Sequence, residues 1–79
     1  MEHDLPPLPP LAPGVYEHYK RLRYEVLGVA RHSETLEPMV VYRPLYGEGA
    51  LWVRPYAMFV EEVEIKGVRR PRFARVQSP

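Results

Sequence analysis

Cysteine is missing from the 79 residues, which excludes a disulfide scaffold and any thiolate-bound metal and suits a reducing compartment. Long apolar runs are missing too: none approaches the ~18 residues that a membrane-crossing helix needs. An excess of one charge is also absent, since 11 basic residues meet 10 acidic ones for a net charge of +1. That balance is far from the strongly basic composition of generic nucleic-acid binders. Histidine is scarce, at three, and forms no HxH or HExxH pattern. A zinc site needs three or four converging ligands, so neither metal nor cofactor is expected. The start, MEHDLPPLPPL, is acidic and broken by proline, unlike a secretion signal, and the expected location is cytoplasmic with no membrane contact.

Proline is plentiful. Five of the ten lie in residues 1–13, where fixed φ and missing N–H donors exclude a helix or a sheet interior. This stretch is expected to be a disordered, polyproline-like arm, although LPPLPPL also has the look of a ligand for a proline-reading groove. A chain of this length holds one domain and buries roughly 60–65% of its unfolded surface. The boundaries expected are a flexible arm over 1–13, a single β domain over 14–76 and a tail over 77–79.

Within the domain the pattern is of short strands. Val15–Lys20 and Tyr24–Arg31 are rich in β-branched and aromatic residues. Gly28 sits mid-strand, where glycine marks a bulge, a bend or a close backbone approach. Both alternate sets of the second strand contain apolar residues, so cover on both faces is expected. Met39–Tyr46 follows a polar loop, with Pro44 limiting its ladder. Gly47, Glu48 and Gly49 turn the chain into Ala50–Arg54. Pro55–Met58 fits one helical turn, and Phe59–Ile65 reads as a fifth strand facing inward through Phe59, Val63 and Ile65. Lys66 and Gly67 signal a hairpin. Val68–Val76 reads as a basic tail in which Phe73 and Val76 dock on the sheet. Five strands without an amphipathic helix indicate an all-β fold, either a small SH3-like barrel or a strongly curved five-stranded antiparallel sheet.

The segments HYK, YEVLGVARHSET, VVYRPLYG and LWVRP, spread over Gly14–Phe59, resemble the bacterial domain of unknown function family 1653. The resemblance implies a compact standalone domain and no particular activity. Arg21 and Leu22 depart from it, standing where the family often has a Gly-Asn-type turn.

The chemistry-bearing residues gather at Arg31, His32, Tyr42, Arg43, Tyr46, Trp52 and Arg54. Guanidinium groups fork onto carboxylate or phosphate and stack on rings, so this set reads as one concave patch for an anionic small molecule, a peptide or a protein partner. The bland alternative pairs the arginines with Glu25, Glu34, Glu48 or Glu61 and makes Trp52 part of the core rim. His32, Ser33 and Glu34 have the residue types of a hydrolytic triad, but three successive residues do not form a relay. The reading is therefore a non-enzymatic binding module. The alternative is a nucleic-acid-binding domain that uses the same face and the basic C-terminal segment, with a small hydrolase last. The oligomeric state expected is a monomer or weak homodimer.

Overall fold

The computed structural model describes residues 5–76; the expected 77–79 tail and the first four residues of the arm lie outside the described residues. Strands β1 (Gly14–His18), β2 (Arg23–Arg31), β3 (Pro38–Pro44) and β4 (Trp52–Pro55) precede one helical turn, α1 (Tyr56–Phe59). Strands β5 (Glu62–Ile65), β6 (Val68–Pro71) and β7 (Phe73–Arg75) follow. The main sheet is antiparallel in the order β4-β3-β2-β1-β7, and β5 pairs with β6 as a separate hairpin. The five-stranded antiparallel sheet is thus present, but its fifth strand is β7.

Among the described residues the closed barrel does not form, because β4 pairs only with β3 and β7 only with β1. These edge strands are four and three residues long, and Pro55 ends β4, so neither offers a ladder for closure. The sheet nonetheless curls. In a flat sheet β4 and β7 would lie about 19 Å apart at ~4.8 Å per strand, yet the Arg54 guanidinium sits 5.6 Å from the centre of the Phe73 ring.

Tyr16, Tyr24, Val26, Val40, Tyr42, Phe59 and Phe73 form the core on the concave side. At its centre Phe73 stacks flat on Phe59, with ring centres 4.0 Å apart. Tyr42 meets both rings edge-on at 5.9 and 5.4 Å. The buried tyrosines keep hydrogen-bonded hydroxyls: Tyr16 donates to the Ala12 carbonyl, Tyr24 pairs with Tyr46, and Tyr42 accepts from Arg54.

Four expectations need correction or refinement. Phe59 belongs to α1, not to a fifth strand, and β5 leaves the main sheet to pair with β6. The basic "tail" is two strands, although Phe73 docks as expected, carried into the core by β7. The middle of β2 is not covered on both faces, since Leu27 is exposed. A register shift between Val26 and Gly28 switches the alternation there. Val26 and Val29 then face the same side despite odd spacing, which is why both alternate sets look apolar. Gly28 marks this bulge, but space does not demand a glycine: a β-carbon there would meet nothing within 4 Å. Finally, the described arm, free of helix and strand, is held at several carbonyls. Those of Pro6, Pro10, Ala12 and Pro13 accept from Arg31, Tyr56, Tyr16 and Arg75, and Leu11 packs against the core.

Two turns show opposite fits of residue to backbone. Lys66 and Gly67, with φ of 53° and 79°, make the two-residue turn of left-handed residues that a tight hairpin favours. At the β1–β2 turn, Arg21 adopts φ 79° without being glycine.

Phe73→Ala is expected to cost about 3–5 kcal/mol, enough to consume much of a small domain's stability; urea unfolding measures it, and an unchanged midpoint would return β7 to the status of a tail. Arg21→Gly is expected to gain about 1 kcal/mol by relieving the left-handed arginine, again read from the urea midpoint.

Candidate functional site

The strand register sorts the seven sequence-derived residues into three places. Tyr42 lies opposite Trp52, and Val40 opposite Arg54, so Tyr42, Trp52 and Arg54 share the concave face. Tyr46, just beyond β3, joins them through its hydroxyl, 2.9 Å from that of Tyr24. Trp52 and Tyr46 are each 42% exposed, whereas Tyr42 beneath them is buried. Trp52 stands 6.0 Å from both Tyr24 and Tyr42, ring centre to ring centre.

Arg43 does not belong to this patch. One residue along β3, it points to the opposite face, where it binds Glu25 at 2.6 Å. Arg31 and His32 lie at the far end of β2. Arg31 donates to the carbonyls of Leu36 and Pro6. The Nδ1 of His32 accepts from the amides of Glu34 and Thr35, which makes the ring a staple of the loop rather than a base beside a nucleophile. The single patch of seven is therefore reduced to four, because period-2 alternation separates neighbours and the length of β2 separates its ends.

Three members escaped the sequence reading. Tyr24 forms the floor, with burial first and the Tyr46 hydrogen bond second pushing its phenol up to about 12. His18 packs edge-on to Phe73 at 4.9 Å and lies 4.4 Å from the Tyr19 ring. Burial, then the charges of Arg72, Arg54 and Lys20, hold its imidazole below the ordinary value of 6.5. Arg72 binds Glu61, and its Nε is buried without a partner among the described residues. Register was the signal that would have found Tyr24 and His18, since both follow from pairing β1 with β2 and β7.

Chemically, the face offers half-exposed rings beside a cation. Arg54 uses its Nε on the Tyr42 hydroxyl, and no carboxylate pairs with it among the described residues. Nor do three or more His, Asp or Glu side chains converge as a metal site among them. No helix among the described residues is long and apolar enough to cross a membrane.

Residues 14–75 match the family described as Protein of unknown function (DUF1653). The chain belongs to that family. A crystal structure of a DUF1653 protein from Bordetella bronchiseptica is similar to it, with 40% sequence identity and a TM-score of 0.77, over 87% of this chain and 94% of that one. No curated protein matches. The DUF1653 match extends past Phe59 to take in β5, β6 and β7, and spans His18, Tyr46, Trp52 and Arg54 of the face.

His18 gives the face a pH dependence with a definite sign. Its folded-state affinity for protons is depressed, so the unfolded chain binds more protons just below pH 6.5. Its contribution to stability is complete above 6.5 and is lost as pH falls through the folded-state value. Urea midpoints taken from pH 7.5 down to 5 are expected to fall more steeply for the native chain than for His18→Gln; parallel curves would remove His18 from this account.

Proposed function

We propose that this DUF1653 domain is a non-enzymatic binding module whose concave face takes a flat, anionic ligand. Trp52 and Tyr46 supply stacking surface, and Arg54 meets the negative group. The observation that carries the reading is the position of Arg54. It lies against the Phe73 ring and two residues along β4 from half-exposed Trp52, with no carboxylate partner among the described residues. Arg43, Arg69 and Arg72, by contrast, are each held by a carboxylate.

A protein partner is the second reading, favoured by the β4 edge, where Leu51 and Val53 are 62% and 60% exposed. The proposed working compartment is the cytoplasm, a reducing environment that suits a chain without cysteine.

Trp52 is the sole tryptophan, so its fluorescence and indole resonance report on the face alone. Titration with mononucleotides and short acidic peptides is expected to shift both signals, and Trp52→Ala or Arg54→Ala to weaken binding at least tenfold. Silence of Trp52 toward every anion, with response only to a protein from extract that covers Leu51 and Val53, would replace this reading with the second.

A further inference from the structure

We infer that the ligand is a single-stranded nucleic acid, its bases on the aromatic face and its phosphodiester backbone in the groove between β6 and the β1–β7 edge; this rests on the reading of that face. The groove has a volume of about 580 Å³, and His18 belongs to both regions, lining the groove while its ring meets Phe73.

The charge of the groove fits a polyanion. Arg21, Arg69, Arg70 and Arg75 line it, with Glu17 as its one acid among the described residues. Glu17 is already bound to Arg23, and Arg69 to Glu62. Arg21, Arg70 and Arg75 have no carboxylate partner among the described residues, and Arg75 holds only the Pro13 carbonyl. Among the described residues, three guanidiniums without a carboxylate partner therefore border one groove in a chain whose net charge is +1, so the positive potential there is local. At the groove's end the Tyr19 and His18 rings lie 4.4 Å apart, tilted by 31°. His18 joins this groove to the face that carries Trp52 and Tyr46, so ring surfaces and cations adjoin, the combination that holds unpaired bases without reading their sequence. A duplex hides its base faces and would use the groove alone.

The test is fluorescence anisotropy of a labelled ten-nucleotide oligothymidine with the full chain, from 25 to 200 mM NaCl, alongside a duplex of equal length and inorganic polyphosphate. Three phosphate contacts predict a log–log salt slope near −2, at about −0.7 per contact. Arg70→Glu and Arg21→Gly are each expected to weaken oligonucleotide binding at least threefold, Arg21→Gly also flattening the slope by about 0.7. Loss of binding in Arg21→Gly cannot be ascribed to unfolding where its urea midpoint holds or rises. Trp52→Ala is expected to weaken the oligonucleotide but not polyphosphate. Equal binding of duplex, or of polyphosphate with no effect of Trp52→Ala on the oligonucleotide, overturns the inference. A mononucleotide response at Trp52 with an oligonucleotide affinity indifferent to Arg70→Glu and Arg21→Gly overturns the groove while leaving the face intact. Silence to both removes the two readings together.

Discussion

The stack of Phe73 on Phe59 is the contact on which the rest of the fold depends. The two residues come from pieces of chain that share no ladder, the single helical turn α1 and the three-residue strand β7. Three residues of pairing with β1 hold a strand only weakly, so β7 stays in place because its one buried side chain fills the centre of the core. Removing that ring would empty the space against which Tyr24, Tyr42 and His18 pack edge-on. The curl of the sheet follows from the same contact: an open five-stranded sheet wraps because its concave side must close over two phenyl rings.

An aromatic core carries a polar consequence. Each buried tyrosine brings a hydroxyl that needs a partner, and the partners lie outward, on the arm at Ala12, on half-exposed Tyr46 and on Arg54. The rim of the core is thus polar by necessity, and the same hydrogen bonds that satisfy Tyr24 and Tyr42 hold Tyr46 and Arg54 in fixed positions at the surface. Stability and a preorganised face arise from one set of contacts. That economy also explains why Trp52 can remain 42% exposed, for the floor beneath it is already complete.

Much of this was legible in the sequence, and the misses share a cause. Strand content, the mid-strand bulge at Gly28, the limit at Pro44, the helical turn after Pro55 and the Lys66–Gly67 hairpin follow from local residue chemistry. So does the family, from its motifs. Pairing partners do not follow from it. Phe59–Ile65 looks like a strand because alternation cannot distinguish a buried residue on a helical turn from one on a ladder. Val68–Val76 looks like a tail because charge dominates its composition: the docking of its one phenylalanine, Phe73, is legible, and the pairing of β6 with β5 and of β7 with β1 is not. The patch of seven residues was drawn from proximity in the chain, and the alternation that separates Tyr42 from Arg43 divided it.

The same alternation makes the remaining face coherent. Arg43 and Glu25 oppose each other across β2 and β3, and Arg23 and Glu17 across β1 and β2, so the convex side neutralises its own charge. Arg69 and Arg72 likewise meet Glu62 and Glu61 beside the hairpin. Among the described residues, a chain with nearly equal numbers of acids and bases is thereby left with arginines that meet no carboxylate in particular places: Arg31, which holds two carbonyls, Arg54 beside the exposed rings, and Arg21, Arg70 and Arg75 around one groove. Net charge near zero conceals this, because it averages paired and unpaired groups alike. A binding surface in so small and balanced a domain is recognised by where pairing stops.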